Sequence, residues 1–258
     1  MRVRVIWALI MILFAYVLFS FANDIVFTIV VGIISLIAAN ELINTQKFVP
    51  LIIKIEIYLF LILTSIYSYY YGLLDAHYLI ITFLILVISL VLYKHLEKFD
   101  FSNISIIFTM VIYLILGFNS LLNIKINFSL LIFFYPILVG VIADTFGYFG
   151  GKKFGKHKLI ENVSPNKTWE GALFATIFAS LFSYYYLHNF NLNNIQIIII
   201  TLIMVILSQV GDLVASSIKR TYDIKDYSKL IPGHGGILDR FDSILFNFIV
   251  LSVLLIYV

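Results

Sequence analysis

Apolar runs of membrane-spanning length recur along the whole chain and are separated by short polar stretches. A helix needs about 20 mostly apolar residues to cross a bilayer. Backbone groups in lipid must pair within their own segment, so such runs indicate helices. The pattern predicts an all-α, polytopic integral membrane protein with about nine transmembrane helices, at residues 5–22, 25–40, 50–70, 77–94, 104–120, 128–149, 170–188, 195–215 and 241–258.

Composition agrees with a membrane protein. Of the 258 residues, 62% are hydrophobic and 12% are charged, whereas about 25% of residues are charged in a soluble domain. The chain has no cysteine, which excludes disulfides, thiolate metal sites and a cysteine nucleophile. The first run follows Arg2 and Arg4, as in a signal peptide, but it lacks a convincing small-residue cleavage site. We therefore expect a retained first helix.

The basic residues predict the orientation. If the N-terminus is cytoplasmic, 15 of the 17 Lys and Arg residues fall in cytoplasmic loops, as the positive-inside rule requires. Lys125 falls on the opposite side, and Lys54 lies near the inner end of the third span, where its side chain can reach the interface. The split supports an odd number of spans. Because the basic groups follow the topology, we expect no nucleic-acid partner.

Two polar, glycine-bearing stretches interrupt the apolar rhythm, and both fall in the C-terminal half on the predicted cytoplasmic side. We therefore divide the chain into two parts. Residues 1–125 are predicted to form scaffold helices that face lipid and offer oligomer contacts. Residues 126–258 are predicted to be the catalytic part, with cytoplasmic loops at 150–170 and 216–240.

Asp212 is the strongest single candidate for a functional residue. It lies near the cytoplasmic end of the eighth predicted helix, where a carboxylate is unfavourable without a partner. If this helix continues through Arg220, then Asp212, Ser216 and Lys219 share one face. Lysines and arginines in such a place suit phosphate oxygens. The same basic residues taken alone fit ordinary positive-inside anchors equally well.

A second pair of carboxylates lies at the start of the ninth predicted helix. Asp239 and Asp242 are three residues apart and share a face. Aspartates from two helices suit a hard cation such as Mg²⁺, although a carboxylate here also favours a helix N-terminus. The preceding glycines of residues 232–236 allow a backbone to approach a ligand closely.

Residues 144–171 form the other chemical block. Asp144 is again an intramembrane carboxylate, and the glycines at 147, 150 and 151 fit either a site or close helix packing. Residues 164–167 look like a helix start, with Pro at an early position and Glu170 in the first turn. Trp169 fits a membrane-interface residue as well as a site residue.

Both blocks resemble the signature of the phosphatidate cytidylyltransferase (CDP-diacylglycerol synthase) family. The first block reads Asp144-Thr-Phe-Gly-Tyr-Phe-Gly150, Gly155-Lys156 and Ser164-Pro-Asn-Lys-Thr-Trp-Glu-Gly171. The second reads Ser216-x-Ile-Lys-Arg220, Lys225-Asp226 and Pro232-x-His-Gly-Gly-Ile-x-Asp-Arg-Phe-Asp242. The resemblance covers residues 130–258 well and the N-terminal half only as a set of spans.

The chain departs from the family pattern at four positions. The family usually has Glu where Ala215 stands, Ala at Gly147, Lys at Asn166 and a small residue at Tyr227. No core signature residue is lost. The replacement at Ala215 puts in doubt any metal or proton role for a carboxylate there.

The resemblance implies an enzyme of phospholipid biosynthesis, a nucleotidyltransferase that transfers CMP from CTP to phosphatidate. It implies Mg²⁺, with or without a second ion, held by Asp212 and Asp239. The residues it implies for catalysis are Asp212, Lys219, Arg220, Asp239 and Arg240. Those implied for substrate binding are Asp144, Ser164, Lys167, Thr168, Trp169, Lys225, Asp226, His234, Gly235, Gly236 and Asp242. A homodimer in a bacterial inner (plasma) membrane, with the site facing the cytoplasm, completes the expectation.

Two other classes stay open. A CTP-dependent polyprenol kinase or a CDP-archaeol synthase resembles this family in its C-terminal part and differs in the lipid acceptor. A membrane transporter is the non-enzymatic alternative, because transporters also carry charges within the membrane. Transporters often show paired repeats or broken helices in both halves. The concentration of polar groups in one half of this chain favours an enzyme over a transporter.

Overall fold

A computed structural model describes residues 2–45, 49–72, 84, 88, 101–188, 190, 192–233 and 235–256. The predicted span at 77–94 lies almost wholly outside these residues, and His234 lies outside them as well. The side chain of Asp242 is likewise not among those described.

Helices dominate the described chain, which confirms the all-α class. Each of the other eight predicted spans corresponds to one helix. These are α1 (Arg2–Phe21), α2 (Asp24–Ile43), α3 (Leu51–Tyr71), α4 (Phe101–Asn127), α5 (Leu130–Phe154), α6 (Trp169–Leu187), α7 (Asn194–Thr221) and α8 (Leu238–Leu254). Two short strands, β1 (Lys158–Ile160) and β2 (Ser164–Thr168), lie between α5 and α6.

The chain is an integral membrane protein. Five of the described helices are long and apolar enough to cross a bilayer: α2, α3, α4 (from Ser105), α5 and α7. The last helix contributes a shorter apolar segment, Ser243–Leu254. The total of nine spans and the cytoplasmic N-terminus stay predictions.

Local side chains explain where several helices begin. The side chain of Asn23 accepts a hydrogen bond from the Val26 N–H at 2.9 Å and caps α2. Asn193 and Gln196 form a reciprocal capping box at the start of α7, each side chain bonding the other residue's N–H. Such caps satisfy backbone donors that the first helical turn leaves unpaired. They therefore determine where a helix starts, which hydropathy alone does not locate to the residue.

The predicted helix start at residues 164–167 is wrong. These residues lie in β2, which pairs antiparallel with β1 through Lys158 opposite Thr168 and Ile160 opposite Ser164. The helix begins at Trp169 because the Thr168 hydroxyl accepts from the Gly171 N–H at 3.1 Å, as an N-cap residue does. Glu170 does lie in the first turn, as expected.

The described chain divides into two compact units. Unit 1 comprises residues 1–127 and 226–240, and unit 2 comprises residues 128–225 and 241–258. In unit 1, α2, α3 and α4 pack around fully buried side chains such as Phe27, Ile57 and Leu114. The segment 226–240, which carries much of the sequence signature, belongs to this unit.

In unit 2, α5 and α6 approach each other closely at glycines. A Cβ atom on Gly171 would lie 2.7 Å from the Gly147 carbonyl oxygen and 3.1 Å from the Gly151 nitrogen. A Cβ atom on Gly150 would lie 2.5 Å from Cβ of Phe174. Small residues let membrane helices pack backbone against backbone. These glycines therefore serve helix packing, one of the two roles that the sequence left open.

Candidate active site

In unit 2, the Lys167 ammonium pairs with the Asp212 carboxylate, across 45 residues of sequence. The helix α7 continues to Thr221, which confirms the predicted continuation through Arg220. Asp212 therefore has the partner that a carboxylate in a membrane helix requires. The side chains of Lys167 and Asp212 are 31% and 28% exposed, so a solute can reach the pair.

The β-hairpin explains how Lys167 reaches α7. Successive strand residues face opposite sides, so Thr168 turns inward to cap α6 while its neighbour Lys167 extends the other way. The Lys158 ammonium donates to the Pro165 carbonyl oxygen and braces the hairpin. Thr168 is buried, and its described contacts are those of a helix cap.

Arg220 ties the hairpin to the end of α7. Its guanidinium donates to the Val163 carbonyl oxygen at 3.4 Å and to the Ile224 carbonyl oxygen at 3.0 Å. Val163 lies in the turn between the two strands. Arg220 therefore fixes this turn, and the residue is also exposed, so solvent reaches it.

Glu170 organises the chain just after α5. Its carboxylate accepts from the backbone N–H groups of Lys156 and His157, at 3.1 and 3.3 Å, and contacts His157 Nδ1 at 2.7 Å. These contacts favour the ionised carboxylate, because a charged acceptor gains most from several N–H donors.

In unit 1, Asp239 closes the loop that precedes it. Its Oδ2 atom accepts from the Tyr227 N–H at 2.8 Å and from the Gly236 N–H at 2.9 Å. The residue is 8% exposed. Asp239 therefore has a structural role that the sequence did not reveal, in addition to the metal role predicted for it.

The glycines at 233 and 235 meet backbone requirements. Both have positive φ angles, of 81° and 84°, which side-chain-bearing residues rarely adopt. The Ile231 N–H donates to the Gly235 carbonyl oxygen at 2.7 Å and closes this tight turn. A Cβ atom on Gly235 would also lie 2.7 Å from Oδ2 of Asp239. The turn thus brings the backbone against a carboxylate.

Glu41 is the residue of this region that the sequence interpretation missed. Its carboxylate accepts from the Ser228 hydroxyl at 2.7 Å, the Ile237 N–H at 3.0 Å and the Leu238 N–H at 2.7 Å. It is 5% exposed. The predicted span at 25–40 ended one residue before Glu41, whereas α2 continues to Ile43 and includes it, so the rule that selected Asp212 applies to Glu41 once the helix end is known.

The remaining predicted residues differ in exposure. Ser164 and Lys219 are partly exposed. Those that are exposed are Asp144, Trp169, Lys225, Asp226 and Arg240. Asp226 lies beside the glycine turn of unit 1, because a Cβ atom on Gly235 would lie 3.3 Å from the Cβ atom of Asp226. Their predicted roles stay predictions.

The metal prediction concerns Asp212 in unit 2 and Asp239 in unit 1. Within neither unit, over the described residues, do three or more His, Asp or Glu side chains come together as a ready metal site. The donor chemistry fits, because carboxylate oxygens are hard ligands of the kind that Mg²⁺ takes, usually one or two together with substrate phosphates and water.

Comparison with known proteins shows the class of this chain. The model of the cytidylyltransferase family matches residues 2–258, so the chain belongs to the cytidylyltransferase family. The match extends through the N-terminal half, where the sequence interpretation recognised only a set of spans. The chain is an enzyme of the nucleotidyltransferase class.

The similar curated proteins are phosphatidate cytidylyltransferases. That of Staphylococcus aureus (strain COL) is 35% identical over 264 residues, which cover 99% of each chain. That of Bacillus subtilis (strain 168) is 34% identical over 232 residues, 85% of each chain. That of Staphylococcus haemolyticus (strain JCSC1435) is 43% identical over 125 residues, 47% of this chain and 48% of the relative.

Proposed function

We propose that this enzyme transfers a cytidylyl group from CTP to phosphatidate, giving CDP-diacylglycerol and pyrophosphate, as a step of phospholipid biosynthesis. The observation that carries the proposal is the 35% identity to a phosphatidate cytidylyltransferase over 99% of both chains. Lys167 and the glycine turn supported by Asp239 lie within the two sequence blocks on which the family resemblance rests, and Asp212, the partner of Lys167, lies just before the second block.

In the proposed reaction, a phosphate oxygen of phosphatidate attacks the α-phosphorus of CTP. A new P–O–P bond forms, the bond from the α-phosphorus to the bridging oxygen breaks, and pyrophosphate leaves with that electron pair. The attacking phosphate is already an anion, so no strong general base is required. Positioning and charge neutralisation dominate this kind of transfer.

The basic side chains are suited to that neutralisation. Lys219, Arg220, Lys225 and Arg240 are proposed to contact phosphates, since ammonium and guanidinium groups bind phosphate oxygens through charge-assisted hydrogen bonds. Lys167 already holds an anion, the Asp212 carboxylate. A phosphate of CTP would compete for the same ammonium, which makes this pair a suitable place for the nucleotide.

Mg²⁺ is part of the proposal. Asp212 and Asp239 are the residues that would hold it, through their carboxylate oxygens. When bound, the ion would neutralise phosphate charge and polarise a phosphoryl oxygen. The side chains remain responsible for orientation: Lys167 holds the Asp212 carboxylate, and the N–H groups of Tyr227 and Gly236 hold that of Asp239.

The location follows from the substrates. CTP is dissolved in the cytoplasm and phosphatidate lies in the leaflet, so we place the site at the cytoplasmic face of a bacterial plasma membrane. Both signature blocks include helix ends and the adjoining loops that the positive-inside rule assigns to that side. A homodimer is the proposed assembly.

The decisive experiment uses purified protein, lipid acceptors in detergent micelles, and CTP labelled at either the α- or the γ-phosphate. We expect α-label, and no γ-label, to enter phosphatidate, with release of one pyrophosphate per product. Removing divalent cations with EDTA should abolish turnover, and added Mg²⁺ should restore it. Full turnover after exhaustive chelation would refute the magnesium part of the proposal alone.

The same assay separates the alternatives. Transfer of γ-label to a polyprenol would identify a CTP-dependent kinase, and preference for an archaeol phosphate over phosphatidate would identify a CDP-archaeol synthase. Absence of label transfer to every acceptor, with monodisperse protein, would favour a transporter. Each of these results would overturn the proposed reaction.

A further inference from the structure

Within the described residues, the start of α8 is capped by a side chain from another helix. The first N–H groups of a helix have no intrahelical partner, and the residue before α8 is Ile237, whose side chain cannot accept a hydrogen bond. Glu41 supplies the acceptor from α2. Its Oε1 binds the Ile237 N–H at 3.0 Å and its Oε2 binds the Leu238 N–H at 2.7 Å, from 196 and 197 residues away.

Charge and packing both indicate that this contact is specific. An anion at a helix N-terminus is stabilised by the helix dipole. The Ser228 hydroxyl supplies a third donor at 2.7 Å, so a nearly buried carboxylate finds the partners that its desolvation requires. A Cβ atom on Gly236 would lie 2.6 Å from Cδ of Glu41, so the carboxylate lies directly against the loop backbone.

The Glu41 carboxylate and the Asp239 carboxylate bind neighbouring amides. Glu41 accepts from Ile237 and Leu238, while Asp239 accepts from Gly236, the preceding residue. The Arg240 N–H in turn donates to the Ile237 carbonyl oxygen at 2.9 Å. A shift of the Ile237 backbone would therefore also displace Asp239 and Arg240, which follow it directly in the chain.

We propose that Glu41 is a positioning residue, which holds the segment 226–240 so that Asp239 and Arg240 point at the reacting phosphates. The expected effect of Glu41 on catalysis rests on the proposed function, whereas the hydrogen bonds by which Glu41 anchors the segment do not. It assigns to the N-terminal half a direct part in forming the site, where the sequence interpretation expected scaffold helices and oligomer contacts.

The test is Glu41→Gln in the full-length protein. Glutamine keeps the size of the side chain but replaces one acceptor oxygen by a donor facing a backbone N–H. The matched control is Glu56→Gln in α3, because Oε2 of Glu56 is buried and has no hydrogen-bond partner among the described residues. Ser228→Ala, which removes one of the three donors, serves as a milder second variant should Glu41→Gln fail to fold.

Two readouts are measured on monodisperse protein. Hydrogen exchange by mass spectrometry reports the amides of residues 226–240 without any need for activity. We expect Glu41→Gln to speed that exchange about tenfold or more, the effect of losing a hydrogen bond to a charged acceptor. We expect kcat to fall about tenfold or more while KM for CTP changes little, because the variant would lose an interaction that is made only in the transition state. Ser228→Ala should change both in the same direction but less.

The outcomes are distinguishable. Unchanged exchange in Glu41→Gln would overturn the anchor. Faster exchange with wild-type kcat would overturn positioning and leave Glu41 a purely structural residue. If Glu56→Gln lowered kcat and amide protection as much as Glu41→Gln does, the positioning role would also be overturned, because any buried carboxylate in these helices would then have the same effect. If the wild-type protein transfers no label from CTP, the proposed function fails, and the exchange comparison still decides whether Glu41 anchors the loop.

Discussion

The ammonium of Lys167, at the end of a short β-hairpin, forms an ion pair with the carboxylate of Asp212 on the long helix α7. The pair joins two segments that the sequence had identified separately, the block at 144–171 and the block at 211–242. It also shows that the start of α6 and the end of α7 lie at the same end of unit 2. The pair can be tested directly.

Asp212→Asn should lower kcat on the order of 10²-fold or more, a loss of roughly 3 kcal/mol of transition-state stabilisation. Folding should survive, because removing a charge from a membrane helix does not raise its insertion cost. Incorporation of labelled CTP into lipid measures the effect. The matched control is Asp24→Asn: Asp24 also pairs with a lysine, Lys125 at 3.8 Å, but is 50% exposed, so its loss should change stability by about 0–1 kcal/mol and leave kcat unaltered.

The double variant Lys167→Met with Asp212→Asn separates a structural pair from a catalytic one. If the two charges only neutralise each other, removing both should restore the turnover that either single substitution loses. We expect the double variant to remain inactive, because both groups are proposed to act on substrate. Recovery of near-normal turnover would make the pair structural and would require a different metal site.

Asp239 should respond differently to two substitutions. Asp239→Asn keeps a carbonyl oxygen that can accept from the Tyr227 and Gly236 N–H groups, so the loop should stay folded while kcat falls about 10²-fold. Asp239→Ala leaves these N–H donors without their acceptor and should cost an additional 1–3 kcal/mol or so of stability. Thermal unfolding in detergent, measured beside turnover, distinguishes the two effects. Near-normal turnover of folded Asp239→Asn would remove Asp239 from the metal site.

Two glycines on the α5–α6 contact should give opposite results. Gly171→Ala places a Cβ atom 2.7 Å from a backbone oxygen, which cannot move aside cheaply, so we expect a loss of about 1–3 kcal/mol. Gly147→Ala places a Cβ atom 3.6 Å from Cβ of Ala175 and 3.8 Å from the Gly171 carbonyl oxygen, which are ordinary contacts, and should gain about 0.5–1 kcal/mol from better helix propensity. Equal thermal stability of the two variants would show that α5 and α6 do not pack through these glycines.

The nine-span topology predicts that Val258 lies outside the cytoplasm. The motivation is the distribution of basic residues, with 15 of 17 in loops of one side. A C-terminal alkaline phosphatase fusion, which is active only outside the cytoplasm, should therefore be active. A C-terminal green fluorescent protein fusion should be dark when exported through the general secretion pathway. The reverse pattern would require an even number of spans.

Much of this protein could be predicted from its sequence because the bilayer imposes strong local rules. Apolar length identified the helices, and the rule that a carboxylate in a membrane helix needs a partner selected Asp212 without any knowledge of that partner. The sequence pattern of the two blocks was sufficient to indicate the family, which the match over residues 2–258 confirmed.

Other features depended on contacts between distant segments, which local patterns do not encode. The helix start predicted at residues 164–167 failed because β1 offers a pairing partner that competes with the helix, and the Thr168 cap delays the helix to Trp169. Likewise, nothing near Ile237 in the sequence shows that Glu41 caps α8. Hydropathy depends on neighbours along the chain, whereas a hydrogen bond between residues 196 positions apart exists only once the helices have packed.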